Sequence, residues 1–179
     1  ERPRAVRAEH ALTPIFLAGN PRDLRFGVRL SERLGALTVL PFSHETPERH
    51  LELLAGFTVL WGSRLHSLAL ATLAGVPFVG LGYDPKVAHL VDQVNAHLVQ
   101  PLPHWPLAEL EAKRLVAATG TLLKGHHAFG RALVQAAGAL RQGALAAQED
   151  AAHRLGRLLG LHAVPAPPTV GESDASQSG

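Results

Sequence analysis

The sequence has no cysteine among its 179 residues. Disulfide frameworks, thiolate nucleophiles and cysteine-ligated zinc or iron-sulfur sites are therefore excluded. The chain also lacks a strong excess of one charge, since 17 basic residues are balanced by 15 acidic ones, and aromatic residues make up only 5%. The basic residues do not cluster with aromatic ones, so we do not expect nucleic acid as a partner.

The chain has enough apolar sequence to form a core, with 46% hydrophobic and 18% charged residues, which predicts a globular protein. Residues 65–83 carry no charged side chain, but Pro77 interrupts them, so they predict a buried helix followed by a buried strand rather than a membrane span. No signal peptide pattern is visible, and we expect a cytoplasmic protein, with association at the inner face of the membrane left open. The first residue is not Met, so we expect a fragment.

Short apolar runs alternate with helical segments along the first hundred residues. The runs predict strands at 13–18, 36–41, 57–61, 76–82 and 97–100. The intervening helices are predicted to begin at the caps Thr46, Ser63 and Asp84 and to end at Gly35, Gly56 and Gly75. This alternation is typical of an α/β fold, a Rossmann-like parallel sheet with helices on both faces.

The second half of the chain has no strand pattern. Residues 106–162 are rich in Ala and Leu and predict two or three helices on the flank of the sheet. Residues 1–162 are therefore expected to form one Rossmann-like domain. The composition of residues 163–179 predicts a disordered tail.

Basic side chains occur at two predicted helix starts, at the carboxyl edge of the sheet. Arg64 and His66 follow the strand at 57–61, and Lys86 follows the strand at 76–82. Cations at a helix N-terminus oppose the helix dipole, so three of them imply an anion such as a phosphate or a carboxylate. A purely structural alternative stays open, in which Arg64 pairs with an acid and His66 is a satisfied core histidine.

Other side chains near this edge give weaker signals. His44 follows the second strand and either lines a cleft or lies in a solvated loop. Tyr83 either contacts a sugar or packs, and Asp84 is interpreted as a helix cap. His126 and His127 have no matched ligand at helical spacing, so they indicate a surface pair rather than a metal site.

Segments at this edge resemble the polysaccharide pyruvyl transferases, which include bacterial enzymes that pyruvylate secondary cell-wall polysaccharides. The matching residues are GSRLHSLALA at 62–71, AGVPFVGL at 74–81 and YDPKV at 83–87. The Arg-Leu-His turn followed by Tyr-Asp-Pro-Lys at this spacing is a specific signal. Ser63 stands where the family commonly has a small residue or methionine.

The resemblance implies a glycosyltransferase-B-like arrangement of two halves, of which this chain looks like the C-terminal half. A missing N-terminal half-domain is then an expected partner. The implied reaction moves a pyruvyl group from phosphoenolpyruvate to a saccharide or lipid-linked saccharide acceptor and forms a ketal, with no cofactor. For the site, it implies that His66 is the catalytic proton carrier and that the substrate-binding residues are Arg64, Lys86, Ser63, Tyr83 and His44.

Two alternatives remain open at this point. One is half of a nucleotide-sugar glycosyltransferase or epimerase, which needs a Glu placed for a ribose. Glu109 and Glu111 are available but are expected to lie solvated in a helix. The other is a non-catalytic module that binds an anionic glycan or a partner protein.

Overall fold

The computed structural model describes residues 12–35, 37–42 and 46–158. It is an α/β structure with parallel strands flanked by helices, which confirms the predicted fold class. The strands are β1 (Ile15–Ala18), β2 (Thr38–Pro41), β3 (Leu60–Gly62), β4 (Phe78–Gly82) and β5 (His104–Pro106). The helices are α1 (Pro21–Leu34), α2 (Pro47–Ala55), α3 (Leu65–Leu73), α4 (Pro85–Asn95), α5 (Ala112–Lys124) and α6 (His126–Leu158). Two compact units divide the chain between Leu140 and Arg141.

The described strands form two hydrogen-bonded sheets, and every pairing is parallel. One sheet pairs β1 with β2, and the other has the order β3-β4-β5. Leu60 pairs with Phe78 where β3 meets β4, and Gly80 pairs with His104 where β4 meets β5. Since parallel strands end at the same edge, the helices that follow β3 and β4 begin beside one another.

The predicted helix boundaries have local physical causes. The side chains of Asn20, Thr46 and Asp84 accept hydrogen bonds from backbone N–H groups in the first turns of α1, α2 and α4. Gly35 and Gly75, which follow α1 and α3, have φ angles of 72° and 68°, a region that glycine enters without a steric cost. The predicted caps Thr46 and Asp84 are confirmed.

The fifth strand differs from its prediction. Residues 97–100 form turns rather than a strand, and the observed β5 is His104–Pro106. The cause lies in Asn95, whose side chain accepts a hydrogen bond from the Leu102 N–H at 2.7 Å and donates one to the Leu102 carbonyl at 3.0 Å. These bonds fold the segment back onto the end of α4, and the strand begins beyond it.

The core of the 12–140 part lies around β4. Phe78 and Val79 are fully buried there, with residues from the helices packed on both sides. Trp61 of β3 donates a hydrogen bond from Nε1 to the buried hydroxyl of Thr119 at 3.0 Å. This bond fixes α5 against the strand that leads to the predicted site.

The predicted helical flank consists of a 3₁₀ turn (Leu107–Glu109) followed by α5 and α6, in agreement with the expected two or three helices. Helix α6 continues through Gly130, Gly138 and Gly143 without a break. Among the described residues, no helix has both the length and the apolar character needed to cross a membrane. The predicted tail at 163–179 lies outside the described residues.

Candidate functional site

The three basic residues predicted at the carboxyl edge are all exposed helix-start residues. Arg64 is the N-cap of α3, His66 is the second residue of α3, and Lys86 is the second residue of α4. Helices α3 and α4 pack against each other, and they follow the paired strands β3 and β4. The sequence therefore predicted correctly that these side chains share one edge.

The N-terminus of α3 differs from those of the helices that follow β1, β2 and β4. Those three helices each have a side chain that caps their first N–H groups, whereas Arg64 makes no such bond. The prediction that Ser63 caps α3 is wrong, because the helix begins one residue too late for its hydroxyl to reach the first turn. The first turn of α3 also has no acidic residue. Its N–H groups are thus left available to an anion.

A glycine sets the distance between α3 and the strand before it. A Cβ atom added to Gly62, the last residue of β3, would collide with the side chain of Leu68. Leu68 is fully buried and belongs to the core. The absence of a side chain at Gly62 therefore lets the beginning of α3 pack directly onto the strand end.

Arg64 forms an ion pair with Asp23, which lies in the first turn of α1. Its Nη2 atom lies 2.8 Å from Oδ1 and 2.6 Å from Oδ2 of the carboxylate. The contact joins the start of the helix that follows β1 to the start of the helix that follows β3. Both partners of the ion pair therefore lie beyond the carboxyl ends of parallel strands, which is where open α/β sheets bind ligands.

The electrostatics of Arg64 follow from this contact. The pKa of its guanidinium is raised above the ordinary value, chiefly because it donates a hydrogen bond to Asp23. Partial burial lowers the pKa, while the negative charges that Asp23 and Tyr83 can carry raise it further. Arg64 is therefore a permanent cation, and both its partner and the Tyr83 side chain lie within electrostatic range.

The purely structural alternative, in which Arg64 pairs with an acid and His66 is a core histidine, holds for Arg64 but not for His66. Arg64 does pair with an acid, as that alternative held. His66 is not a core histidine, because it is exposed, and its side chain has no hydrogen bond or ion pair with the described part of the chain. The same is true of Lys86, whose backbone N–H donates to Asp84 at 2.9 Å.

The remaining predicted residues have varied surroundings. Tyr83 is 67% exposed, and Ser63 is partly exposed. His44 lies outside the described residues. His126 and His127 are neighbours at the start of α6, with ring centroids 5.1 Å apart in an edge-on arrangement.

The two glutamates considered for a ribose are both exposed. Glu109 lies in the 3₁₀ turn after β5, and Glu111 is the N-cap of α5 without a side-chain cap bond. Neither glutamate side chain has a hydrogen bond or ion pair with other described residues. Their exposure agrees with the predicted solvated environment.

Asp23 and Gly19 are site residues that the sequence analysis missed. A Cβ atom on Gly19 would lie 3.4 Å from Arg64 Cδ and Nε and from Asp23 Oδ2, so the ion pair rests against a bare backbone. Asp23 follows the cap Asn20 by three residues, which is the ordinary place for an acid at a helix start. Only its ion pair with Arg64 distinguishes Asp23 from a purely structural acid.

Comparison with protein-family models gave a match that includes residues of this edge. Residues 7–85 match the family model of polysaccharide pyruvyl transferase. This finding confirms the resemblance noted in the sequence. The match covers less than half of the chain, includes Asp23, Arg64, His66 and Tyr83, and ends immediately before Lys86.

The other comparisons add no relatives. No curated protein matches the chain, and no solved structure does. The pyruvyl transferase match therefore rests on the sequence of residues 7–85.

Proposed function

We propose that this chain is the donor-binding half of a transferase that moves a pyruvyl group from phosphoenolpyruvate to a sugar of a cell-wall or surface polysaccharide. The single observation that carries the proposal is the uncapped start of α3, where Arg64 stands at the N-cap within the matched residues. Free N–H groups, the positive end of the helix dipole and a permanent cation all favour an anion. Phosphoenolpyruvate carries two anionic groups, a phosphate and a carboxylate.

Arg64 and Lys86 bind the donor in this proposal. Both are exposed at the starts of adjacent helices, so together they present two cations to one ligand. Ser63 and Tyr83 flank the same two helix starts, and His44 follows β2 in the sequence, so all three are candidate substrate-binding residues. The positive charges stabilise the phosphate as it leaves.

His66 moves the proton in this proposal. It gives a proton to C3 of the enol, which becomes a methyl group while C2 becomes electrophilic. Two hydroxyls of the acceptor form bonds to C2, and the bond between C2 and the phosphate oxygen breaks. One hydroxyl proton replaces the proton given to C3 and the other leaves with phosphate, so the products are a ketal and inorganic phosphate. An exposed imidazole that has no partner among residues 12–35, 37–42 and 46–158 is free to carry out both transfers.

The proposal includes partners and a location. The acceptor is a saccharide or lipid-linked saccharide, and an N-terminal half-domain in a glycosyltransferase-B-like arrangement supplies the opposite wall of the cleft. Since phosphoenolpyruvate is an intracellular metabolite, the proposed location is the cytoplasm, with the inner face of the membrane as the place where a lipid-linked acceptor is met.

The test measures donor binding and product formation separately. Calorimetry with phosphoenolpyruvate is carried out on this chain and on Arg64→Ala, with Arg29→Ala in α1 as an exposed arginine control. Mass spectrometry then detects the ketal on a saccharide acceptor when the N-terminal half-domain is added. Binding that depends on Arg64 together with a ketal product supports the proposal. Binding without any ketal indicates the non-catalytic anion-binding module instead.

A further inference from the structure

The ion pair between Arg64 and Asp23 has an unusual geometry. A single guanidinium nitrogen, Nη2, contacts both carboxylate oxygens, at 2.8 Å and 2.6 Å. In a bidentate arginine–carboxylate pair, by contrast, two guanidinium nitrogens each contact one carboxylate oxygen. The Nη1 and Nε N–H groups of Arg64 therefore take no part in this ion pair, and neither donates a hydrogen bond to the described part of the chain.

Asp23 is itself held in a fixed position. Its backbone N–H donates to the Asn20 side chain at 2.9 Å, which ties it to the first turn of α1. The carboxylate lies at the N-terminus of that helix, where the dipole favours a negative charge. Its side chain is only 23% exposed, against 47% for Arg64. Asp23 is thus the more rigid partner of the pair, and Arg64 is the partner that it orders.

The backbone of Gly19 borders the ion pair on one side. Gly19 follows β1, and any Cβ there would lie 3.4 Å from both the Arg64 side chain and the Asp23 carboxylate. The pair joins residues 41 positions apart in the sequence. Since one partner is half exposed, solvent screens the attraction and the pair contributes little to stability. Its main physical effect is to restrict the rotamers of Arg64.

We propose that Asp23 is a positioning residue for anion binding. It fixes the side chain of Arg64, so that the remaining N–H groups of the guanidinium are ordered before phosphoenolpyruvate binds. The inference rests on the proposed function, because the anion is phosphoenolpyruvate. Preorganisation of this kind improves affinity, since the entropy of ordering the arginine side chain is lost during folding rather than during binding. Asp23 itself does not contact the reacting atoms.

The opposite role for Asp23 gives the opposite result. If the carboxylate competes with the ligand for Arg64, its removal frees a cation and tightens anion binding. If it positions Arg64, its removal weakens binding although the site becomes more positive. The sign of the change in affinity therefore separates the two roles.

The experiment measures the affinity of this chain for phosphoenolpyruvate and for inorganic phosphate by calorimetry. We expect Asp23→Ala to weaken phosphoenolpyruvate binding by about tenfold to a hundredfold, a loss typical of a misplaced binding group. Asp23→Asn retains an acceptor oxygen and should lose less. Glu32→Ala, which removes an exposed acid at the other end of α1, is the matched control and should bind as the unchanged chain does.

A double-mutant cycle distinguishes positioning from a structural role. If Asp23 acts through Arg64, Asp23→Ala should cause almost no further loss of phosphoenolpyruvate affinity when Arg64 is already replaced by Ala. Because the pair contributes little to stability, the exchanged pair Asp23→Arg with Arg64→Asp should leave the melting temperature close to that of the unchanged chain, but it should not restore the affinity. In the complete enzyme, Asp23→Ala should raise the KM for phosphoenolpyruvate more than it lowers kcat.

Each outcome bears on the inference. Tighter or unchanged binding by Asp23→Ala, or full additivity with Arg64→Ala, overturns it and leaves the proposed function intact. If Asp23→Ala does not fold, Asp23→Asn decides, since binding equal to that of the unchanged chain together with full additivity overturns the inference in the same way. A folded, unchanged chain that binds neither phosphoenolpyruvate nor phosphate overturns the proposed function and the inference with it.

Discussion

Arg64 and Lys86 lie at helix starts, where the dipole repels a positive side chain. Asp23 offsets that repulsion for Arg64 through the ion pair, whereas Lys86 has no such partner in the described part of the chain. Stability alone therefore accounts for Arg64 in part and for Lys86 not at all. An anionic ligand that contacts both residues would account for the two together.

The first prediction concerns the affinity of these two cations for the donor. Arg64→Ala and Lys86→Ala should each weaken phosphoenolpyruvate binding by about 1.5 to 3 kcal/mol, the usual contribution of a charge-assisted hydrogen bond. Arg64→Lys should also weaken binding, because one ammonium group cannot contact Asp23 and a ligand with the geometry of a guanidinium. Calorimetry checks the three variants, with Lys113→Ala as an exposed lysine control. Unchanged donor affinity in all three would assign these side chains to the protein surface or to internal ion pairs.

The second prediction concerns His66. In the complete enzyme, His66→Gln should keep most of the donor affinity and lower turnover by about 10²- to 10⁴-fold, the usual contribution of general acid-base catalysis. Because the His66 side chain is exposed and makes no hydrogen bond with the described residues, the melting temperature should not change. His89→Gln, which changes an exposed histidine in the interior of α4, is the control. A lower melting temperature with full activity of the folded fraction would show that His66 is structural.

At the scale of elements, local chemistry made most boundaries predictable. The glycines that end helices and the caps Thr46 and Asp84 act on backbone groups only a few residues away. The causes of these helix boundaries are therefore visible in the sequence itself. The fifth strand was missed because Asn95 bonds to Leu102, a contact that no hydrophobic pattern reveals. Asp23 was missed for a similar reason, since its partner Arg64 lies on another strand end.

Helix α6 provides a prediction about packing, through two of its glycines. A Cβ on Gly130 would lie 2.9 Å from the Gly75 carbonyl oxygen, which is backbone and cannot move aside, whereas a Cβ on Gly138 meets nothing within 4 Å. Gly138→Ala should therefore stabilise the protein by about 0.5 to 1 kcal/mol through helix propensity alone. Gly130→Ala should lower the free energy of unfolding in spite of the same gain.

Denaturant unfolding followed by circular dichroism measures both glycine variants under the same conditions. The two substitutions are chemically identical and lie in one helix, so the difference between them isolates the contact with Gly75. Equal stabilisation by both would mean that α6 does not approach the turn after α3 as closely as the structure shows.

At the scale of the whole molecule, the candidate site combines residues from several helix starts rather than from any one motif. Asp23 comes from the helix after β1, Arg64 and His66 come from the helix after β3, and Lys86 comes from the helix after β4. All three helices begin beyond the carboxyl ends of parallel strands, where open α/β sheets bind ligands. The residues of the proposed anion site are exposed, so this edge is open to water.

That openness leads to the last prediction, which separates folding from turnover. Residues 1–179 contain a core around β4 and should fold alone, because the helices and strands that bury it belong to this chain. They should not form a ketal alone, because the described residues provide no opposite wall that would exclude water from the exposed Arg64, His66 and Lys86 or hold an acceptor. Cooperative unfolding of the isolated chain, followed by circular dichroism, checks the first half of the prediction. Incubation with phosphoenolpyruvate and a lipid-linked acceptor checks the second, with His66→Gln as the background.

Multiple turnovers by the isolated chain would contradict the prediction, since an open edge would then be sufficient for the chemistry. Ketal formation that begins only when an N-terminal half-domain is added would show that the second wall supplies what this edge lacks.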